Sequence, residues 1–483
     1  MSSSNSRPVA ESGARPPSLT AALLLDRADP RPVHFIGIAG AGMSALAELL
    51  ARRGVRIQGT DANPAGAPDL ARCGVAVAAH DASLVAGARA VVYSSAIAAA
   101  HPEMVAARAA GIPLVRRAEA LADAVSGGTL VGIAGTHGKT TTTVMTTDAL
   151  TAAGRDPTGV VGGRVERWAG NLRLGGDTYV VEADEYDRSF LALDPAVAVV
   201  LNVEADHLDI YRDLDDIRRT FEQYVAPARV VVRCADDEGA MALRIASRHE
   251  VIAYSATAPG TEPSAHAADA RLVAGDLVLD ATGARFQVRF DGDDLGPVQL
   301  SVPGLHNVRN AMAALGAGLA LGCTVPSMAP GLAAFRGVER RFQRLGAAQG
   351  VEVVDDYAHH PTEVRATIAA ARHAFPGRRL VLAFQPHLYS RTRDLQVDFA
   401  EALGAADVLL LCDIYGARET PAPGVTSALI GDRVTAGVLQ WHGPRRDAAA
   451  ALRSVVREGD VVVTMGAGDI TKTGPELLEA LRG

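Results

Sequence analysis

Short apolar runs alternate with segments of helical periodicity along most of the chain. The first run, residues 33–36, is followed by a glycine turn and a helical pattern that reaches residue 50. Two further runs, residues 55–59 and 90–93, end in polar residues. Strands that alternate with helices in this way form parallel sheets, because each crossover returns the chain to the same edge. The pattern therefore predicts an α/β fold.

The alternation recurs in a middle and a last region. In the middle region the predicted strands are residues 129–134, 179–181, 197–201 and 229–232. In the last region they are residues 351–354, 380–384, 408–411 and 461–464. Between residues 251 and 302 the apolar positions alternate over short runs, as in residues 285–290, which predicts a small antiparallel patch inside the middle region.

The length of 483 residues exceeds what one hydrophobic core supports, and at roughly 150 residues per domain it predicts about three domains. We place their boundaries at residues 32–126, 127–336 and 337–483. Residues 1–31 are rich in Ser, Pro, Ala and Arg, and their apolar run, residues 21–25, is too short for a signal peptide or a membrane span. We therefore expect residues 1–31 to be a mobile tail.

Charge and cysteine content narrow the class of protein. A net charge of −8 argues against a nucleic-acid or membrane-surface binder, since both need a cationic face. The cysteines, at positions 73, 234, 323 and 412, lack metal-ligand spacing, which favours free thiols in a reducing compartment. The composition thus predicts a cytoplasmic protein with no nucleic-acid or membrane partner.

A phosphate-binding loop is predicted between the strand at residues 129–134 and the helix after it. Its residues are Gly135, Thr136, His137, Gly138, Lys139, Thr140 and Thr141. In such a loop, backbone N–H groups cradle phosphate oxygens, the lysine bridges them and a hydroxyl reaches magnesium. Two residues, not the usual four, separate Gly135 from Gly138. A plain glycine turn with a surface lysine is the alternative.

Lysine scarcity weighs against that alternative. Of 47 Lys and Arg residues, only Lys139 and Lys472 are lysines, which leaves 47 − 2 = 45 arginines. A compact ammonium and a planar guanidinium are not interchangeable, so a retained lysine indicates a role that arginine cannot fill.

Acidic residues follow two strands of the middle region. Glu182 comes directly after residues 179–181, and residues 204–209, which include His207, follow the next strand. Carboxylates at strand ends suit a nucleotide-bound magnesium. Alone, the first run is better explained as a solvated acidic loop, but two acidic strand ends beside one phosphate loop indicate a metal–nucleotide site.

The glycine turn at residues 37–44 opens a helix in the first region, which suits a pyrophosphate at a helix N-terminus. Its spacing is GxxGxG and not the dinucleotide-binding GxGxxG. A nicotinamide site therefore stays open as an alternative. Asp61, after the second strand, is placed either to bind a ribose or base or to cap a helix.

Two clusters in the last region, residues 355–361 and 385–394, follow successive strands and combine imidazoles with arginines. Such groups recognise anions and accept a proton from an amine. Each histidine taken singly is more often structural than catalytic.

These motifs, in this order, resemble the Mur ligases over about residues 33–475. The matching residues are 34–44, 135–141, 182–190, 204–209, 306, 307, 310, 340–343, 355–362 and 385–394. The resemblance implies a three-domain α/β fold with a nucleotide-sugar-binding Rossmann-like N-terminal domain. A central P-loop ATPase domain, with a mainly parallel sheet and the small antiparallel patch, and a Rossmann-like C-terminal ligase domain would follow.

The resemblance also implies a reaction that uses ATP and Mg²⁺. ATP would phosphorylate the lactyl carboxylate of UDP-N-acetylmuramate, and the amine of L-alanine would attack the acyl phosphate and expel phosphate, in peptidoglycan precursor synthesis. The implied partners are this nucleotide sugar and L-alanine, and the expected oligomeric state is a monomer or a weak homodimer.

Site roles are carried over from the resemblance by position. The implied catalytic residues are Lys139, Glu182, His207, Arg340, Tyr357 and His359. ATP would contact Gly135, Thr136, His137, Gly138, Lys139, Thr140, Thr141, His306, Asn307 and Asn310. The substrate would contact Gly40, Gly42, Ser44, Asp61, Ser94, Ser95, His387 and Arg391. Metal ligands would be Thr140, Glu182 and His207.

One departure concerns the second metal ion. Several Mur ligases hold it with a carbamylated lysine, but this chain has no lysine between Lys139 and Lys472. As a hypothesis, Glu222 supplies a plain carboxylate in its place.

Alternatives remain open at this point. A related ligase that attaches a preassembled tripeptide to the same nucleotide sugar shares these motifs, and the amine pocket, expected around residues 412–419, would distinguish the two. A nucleotide-sugar dehydrogenase would leave the phosphate loop without a purpose. A nucleotide-gated regulatory module would leave the histidine and arginine clusters of the last region unexplained.

Overall fold

The computed structural model describes residues 19–417, 419–435 and 437–483. The chain divides into two compact units. The first holds residues up to 275 together with residues 287–298 and 309–334, and the second holds residues 276–286, 299–308 and 335–483. Within the described ranges no helix combines the length and apolarity needed to cross a membrane.

The N-terminal domain is built on a five-stranded parallel sheet. Its strands are β1 (Val33–Ile36), β2 (Ile57–Thr60), β3 (Ala76–Ala78), β4 (Ala90–Tyr93) and β5 (Leu114–Arg116). They lie in the order β3-β2-β1-β4-β5. The helices that precede and connect them are α1 (Leu19–Leu25), α2 (Ala41–Arg52), α3 (Pro68–Ala71), α4 (Pro102–Ala109) and α5 (Arg117–Val125).

The central domain carries a ten-stranded sheet. Its strands are β6 (Thr129–Ala134), β7 (Thr158–Val165), β8 (Gly170–Arg173), β9 (Thr178–Glu182), β10 (Val197–Val200), β11 (Val230–Cys234), β12 (Glu250–Ala256), β13 (Leu272–Asp280), β14 (Gly283–Phe290) and β15 (Asp293–Leu300). The order is β15-β14-β13-β12-β11-β10-β6-β9-β7-β8. Its helices are α6 (Lys139–Ala152), α7 (Leu214–Val225), α8 (Glu238–Met241), α9 (Leu305–Ala320) and α10 (Val325–Ala334).

The predicted antiparallel patch is present at one edge of this sheet. Only two residues connect β13 to β14, and only two connect β14 to β15. A connection that short joins antiparallel strands, because a parallel pair needs a crossover of a dozen residues or more. The central strands around β6 and β10 pair in parallel, as predicted.

The C-terminal domain has a six-stranded sheet. Its strands are β16 (Gln343–Ala348), β17 (Val351–Asp356), β18 (Leu380–Phe384), β19 (Val408–Cys412), β20 (Leu439–Gly443) and β21 (Val461–Met465), in the order β16-β17-β21-β18-β19-β20. All neighbours pair in parallel except β16 with β17. The helices are α11 (Pro361–Ala374), α12 (Tyr389–Asp394), α13 (Gln396–Leu403), α14 (Ala428–Gly431), α15 (Ala448–Val455) and α16 (Thr473–Arg482).

The N-terminal and central domains share one hydrophobic core. Leu46 and Leu50 of α2 belong to the same buried cluster as Tyr179 of β9 and Phe190. At its border, Arg53 donates a hydrogen bond of 2.5 Å to the hydroxyl of Tyr179 and lies over its ring. Burial of this apolar surface therefore joins the first two sheets into a single compact unit.

The predicted mobile tail needs a correction. Residues 1–18 lie outside the described residues, but residues 19–25 form α1, in which Leu24 is fully buried in the core. Arg89, itself buried, donates hydrogen bonds to the carbonyl oxygens of Leu24 and Asp29. Apolar burial and these bonds hold this segment against the first sheet, so the prediction is wrong for it.

Candidate active site

The loop after β6 has the backbone geometry of a phosphate-binding loop. Gly135 and Gly138 adopt φ angles of 146° and 82°, which side-chain-bearing residues rarely adopt, and Gly138 is the N-cap of α6. A β-carbon at Gly138 would lie 2.7 Å from Oδ1 of Asn310, a predicted ATP-binding residue. Backbone N–H groups at the start of α6 are thereby placed to receive an anion.

Lys139 is almost fully enclosed at the start of α6, with 13% of its side chain exposed. Its Nζ donates to the carbonyl oxygens of Gly135, at 2.6 Å, and Thr136, at 3.2 Å, and to Oε2 of Glu185, at 2.7 Å. Burial disfavours the charged ammonium, but the nearby carboxylates outweigh it and raise the pKa of Lys139. The lysine therefore stays a cation inside the loop.

Glu185, the partner of Lys139, is a buried carboxylate. Burial raises its pKa to about 7, although the adjacent ammonium pulls the pKa back down. The hydroxyl of Tyr211 donates to the Glu185 carbonyl oxygen at 2.5 Å and fixes its backbone.

Thr140 and Glu182, two predicted magnesium ligands, lie side by side. The Thr140 hydroxyl donates to Oε1 of Glu182 at 2.9 Å, and the N–H of Gly162 donates to Oε2 at 2.7 Å. Two neighbouring ligands of a magnesium ion, each about 2.1 Å from it, are about 3 Å apart. The pair therefore fits such an ion.

His207, the third predicted metal ligand, lies beside Glu185. Its backbone has a φ of 52°, and its N–H donates to Oδ1 of Asp206 at 2.7 Å. Its Nε2 is 3.7 Å from Oε1 of Glu185 and 3.7 Å from Oδ2 of Asp206. The ring of Tyr186 meets the imidazole edge-on, with centroids 5.2 Å apart. His207 thus joins the predicted metal ligands at one edge of the sheet.

Asn202 holds the middle of the phosphate loop. Its Oδ1 accepts a hydrogen bond from the N–H of His137 at 2.7 Å, and its carbonyl oxygen accepts one from the N–H of Thr136 at 3.2 Å. The hydroxyl of Thr136 in turn accepts from the N–H of Glu204 at 2.9 Å. These bonds fix the loop to the segment after β10. Thr141 follows on α6, where it is buried.

The predicted substrate residues of the N-terminal domain line the end of its sheet. Gly40 is the N-cap of α2, and the Ser44 hydroxyl donates to the Ala41 carbonyl. A β-carbon at Gly42 would lie 3.0 Å from Nη1 of Arg117, which would have to shift slightly. Ser94 lies directly after β4, and Ser95 borders a cavity of about 500 Å³. Other residues that line it are Tyr93, Arg108, Arg116, Arg117 and Arg188.

Asp61 ties the glycine turn to β2. Its Oδ2 accepts from the N–H of Ala39 and its Oδ1 from the N–H of Asn63, both at 2.9 Å. The bond from Asn63 resembles a helix cap, which is one of the two roles predicted for Asp61. The predicted contact with the substrate stays a prediction.

In the C-terminal domain, Arg340 and Tyr357 are stacked. The Arg340 guanidinium lies 4.7 Å from the centre of the Tyr357 ring and donates to the carbonyl oxygens of Gly466 and Gly468. Its Nε is also 3.6 Å from Oδ2 of Asp355, so a buried carboxylate holds the cation in place.

Two imidazoles with opposite tautomers lie next to this pair. Nδ1 of His359 is 2.9 Å from the carbonyl oxygen of Tyr357 and 3.1 Å from Oε2 of Glu363, which both accept, so Nδ1 donates and Nε2 is the acceptor in the neutral ring. Nδ1 of His387 receives a hydrogen bond from Arg391 at 3.3 Å, so its Nε2 carries the hydrogen. Their ring centroids are 5.9 Å apart. The predicted residues Arg340, Tyr357, His359, His387 and Arg391 therefore form one cluster.

Two predicted ATP-binding residues, His306 and Asn307, contact the segment just before them. Nδ2 of Asn307 donates to the Pro303 carbonyl at 2.7 Å, and the His306 ring packs against Gly304. In the predicted amine pocket, Tyr415 stacks on His387, while Arg418 lies outside the described residues.

The hypothesis that Glu222 is a ligand of the second metal ion is not supported by its surroundings. Both of its carboxylate oxygens accept hydrogen bonds from the guanidinium of Arg244, at 3.0 Å each. It lies in the last turns of α7, a helix that begins after the carboxyl end of β10 and runs away from that edge. The structure thus gives Glu222 a surface ion pair and not a metal site.

Sequence reasoning missed Glu185, Asn202 and Arg117. The first two belong to acidic and polar runs that the sequence had singled out, so their position after strands was a usable signal. For Arg117 the sequence carries no such signal, because its approach to Gly42 depends on how α5 packs.

Three domain families match the chain in order. The Mur ligase family, catalytic domain, matches residues 32–129. The Mur ligase middle domain matches residues 133–318, and the Mur ligase glutamate ligase domain matches residues 340–468. The chain belongs to the Mur ligase family.

Relatives of this Mur ligase are similar over nearly their whole length. A UDP-N-acetylmuramate–L-alanine ligase of Paenarthrobacter aurescens is 45% identical over 461 residues, which cover 93% of this chain and 97% of that protein. The ligase of the same name from Streptomyces coelicolor is 43% identical and covers 95% and 99%.

Solved structures agree with the fold of this Mur ligase. The UDP-N-acetylmuramate-alanine ligase of Thermotoga maritima has a TM-score of 0.78 at 26% identity, over 94% of this chain and 99% of that chain. A murein peptide ligase of Psychrobacter arcticus has a TM-score of 0.68 at 25% identity, over 93% and 98%. The three-domain α/β fold and ATP-dependent amide ligation are thereby established, and the dehydrogenase and regulatory alternatives are set aside.

Proposed function

We propose that this chain joins L-alanine to the lactyl carboxylate of UDP-N-acetylmuramate through an acyl phosphate, in the cytoplasm, as a step of peptidoglycan precursor synthesis. The observation that carries the proposal is the 45% identity, over 93% of the chain, to a ligase of that name. The geometry of Lys139, Thr140 and Glu182 supports the phosphoryl-transfer half of this reaction.

Residues of the phosphate loop would bind ATP. The N–H groups at the start of α6 and the Lys139 ammonium would hold the phosphates, and Asn310 would lie beside them. Thr140 and Glu182 would hold Mg²⁺, which supplies positive charge to the transferring phosphoryl group, and His207 would lie near a second metal ion or the acyl phosphate. Because Glu182 accepts a hydrogen bond from the backbone of β7, its carboxylate is oriented before the ion binds.

The nucleotide sugar would occupy the N-terminal domain. The turn that contains Gly40, Gly42 and Ser44 would hold its pyrophosphate at the start of α2. The neighbouring cavity of about 500 Å³ has the size of a small-molecule site, and its four arginines suit an anionic ligand.

The cluster of arginines and histidines in the C-terminal domain would bind L-alanine and accept the proton of its amine. L-Alanine must lose a proton before it attacks, and the acceptor nitrogen of His359 is suited to take it. Arg340 and Arg391 are cations that suit the amino-acid carboxylate or the phosphate that leaves. Asp355 holds Arg340 in position for either role.

The test is phosphate release from ATP with Mg²⁺ and UDP-N-acetylmuramate, measured with L-alanine, with a preassembled tripeptide, and with no amine. We expect release that depends on L-alanine. Lys139→Ala should lower it by about 1,000-fold, because the transition state loses a buried cation. Lys472→Ala, the matched control, changes the other lysine of the chain, which is exposed, and should keep wild-type turnover.

Other outcomes would change or refute the proposal. Release only with the tripeptide would assign the chain to the reaction that the Psychrobacter relative's name describes. No release with either amine would refute the ligase proposal, and equal loss in both lysine variants would refute the role of Lys139.

A further inference from the structure

Among the described residues, one oxygen of a buried carboxylate beside the phosphate loop has no hydrogen-bond donor. Glu185 is 2% exposed, and its Oε2 is paired with Lys139 at 2.7 Å. Within the described part of the chain, Oε1 accepts no hydrogen bond. A buried carboxylate oxygen without a donor is costly, unless a cation completes the site.

The position of Oε1 is set by rigid surroundings. The Tyr211 hydroxyl holds the Glu185 backbone, and the Lys139 ammonium holds the other carboxylate oxygen. Oε1 therefore points at Nε2 of His207, at 3.7 Å. Rotation of the carboxylate away from this direction would break the ion pair with Lys139.

The spacing of these two atoms suits one divalent ion. Ligands at about 2.1 Å from magnesium are about 3 Å apart when adjacent and about 4.2 Å apart when opposite. The observed 3.7 Å lies between these limits. Oδ2 of Asp206 is also 3.7 Å from Nε2 of His207 and is a second hard oxygen near this nitrogen.

Two other candidate ligands for a second ion, a carbamylated lysine and Glu222, are excluded. No lysine lies between Lys139 and Lys472, so a carbamylated lysine is ruled out in the central domain. Glu222, the other carboxylate considered, is engaged by Arg244 through both oxygens. An anionic ligand for an ion beside His207 would therefore come from another side chain, and Glu185 is the carboxylate that sequence position and distance place there.

We propose that Oε1 of Glu185, together with His207, holds a second divalent cation at the nucleotide site. Glu185 then has two functions at once, because one oxygen keeps Lys139 seated in the loop and the other faces the ion. The inference rests on the proposed function, since it places the ion beside the nucleotide.

The experiment counts bound Mn²⁺ by electron paramagnetic resonance in the full chain with a non-hydrolysable ATP analogue. Wild type should bind two ions per chain. Glu185→Gln should keep the ion held by Thr140 and Glu182 but bind the other about 10- to 100-fold more weakly. Glu222→Gln removes the same charge from the carboxylate that Arg244 engages, and should bind both ions as wild type does.

A second variant guards against loss of the fold. Glu185→Asp keeps the charge next to Lys139 but shortens the reach towards His207, so it should also weaken only the second ion. Circular dichroism of both variants establishes that they fold. Two tight ions in folded Glu185→Gln and Glu185→Asp, or one ion in wild type, would overturn the inference, while ligation of L-alanine by wild type would leave the proposed function standing.

Discussion

Glu103 is a buried carboxylate that many donors surround. Its oxygens accept hydrogen bonds from Thr60 Oγ1 at 2.7 Å and from the N–H of Asp81 at 3.0 Å, and they lie 2.9 Å from Nε2 of His34 and 3.0 Å from Nδ1 of His80. Burial acts to raise the pKa of Glu103, but these partners outweigh it and lower the pKa to about 2. The carboxylate is therefore ionised at neutral pH and ties together four segments of the N-terminal domain.

We predict that Glu103→Gln lowers the free energy of unfolding by about 3 kcal/mol at pH 7, because the donors lose a buried charge. Urea unfolding followed by circular dichroism measures this. Glu262→Gln, at an exposed position, is the control and should change stability by less than about 0.5 kcal/mol.

The pH dependence of that difference has a defined sign. A carboxyl whose pKa is lowered on folding contributes stability above its unfolded pKa, near 4.5, and loses it as the pH falls towards the folded pKa, near 2. The gap between wild type and Glu103→Gln should therefore shrink over that range. A gap that is constant from pH 7 to pH 3 would contradict the account.

Residues that act through local spacing were predictable, and residues that act through distant contacts were not. The phosphate loop follows from seven consecutive residues and the strand before them. The pairing of Lys139 with Glu185 joins positions 46 residues apart, and the approach of Asn310 to Gly138 spans a still longer stretch. Such contacts depend on the order of strands in the sheet, which no local pattern contains.

At the scale of elements, the turn from β6 into α6 depends on two properties of Gly138. The first property is its φ of 82°, and the second is its closeness to Asn310, whose Oδ1 would lie 2.7 Å from a β-carbon at this position. Gly154, just after the C-cap of α6, has nearly the same φ, 80°, but open space around it. Alanine at both positions introduces the same backbone strain, but only alanine at Gly138 is also crowded by a neighbouring side chain.

Gly138→Ala and Gly154→Ala should each cost about 1–2 kcal/mol of stability, because alanine is strained in the left-handed region. Only Gly138→Ala should also weaken binding of an ATP analogue, by about 100-fold, since it displaces the loop. Calorimetric titration measures both affinities. Equal affinities in the two variants would show that crowding against Asn310 has no effect on the nucleotide.

The elements that sequence analysis recovered best are the fully buried central strands. β1, β4, β6 and β18 have the predicted bounds, because a continuous apolar run is needed when both faces of a strand are covered. Short edge strands were missed. β3 and β20 contain no fully buried residue, so nothing in their composition distinguishes them from loops.

At the scale of the whole molecule, the expected oligomeric state stays a prediction with a physical basis. Six large apolar side chains of the described residues are at least 36% exposed, and no two are adjacent in sequence. A stable homodimer buries a large apolar surface. We therefore predict that light scattering at micromolar concentration gives a mass near 50.1 kDa, with a dimer, if any, only at higher concentration. A concentration-independent mass of twice that value would contradict it.

Sequence analysis placed a domain boundary at residues 126 and 127, between the first two sheets. That junction separates two topologies, since α5 ends at Val125 and β6 begins at Thr129. It does not separate two cores, because α2 and β9 contribute to the same buried cluster. Periodicity along the chain indicates where a sheet begins, whereas the sharing of a core depends on which faces pack together.

The shared core limits how the family's modules are exchanged. A hybrid that takes residues 32–126 from another ligase would inherit half of a packed interface, with Tyr179 facing whatever replaces Arg53. Under the proposed function, a new nucleotide-sugar preference would therefore be reached more easily by changes in the loops at the ends of β1, β2 and β4. Substitutions in those loops would leave the core intact, so recognition of the sugar would change while the two sheets are inherited together.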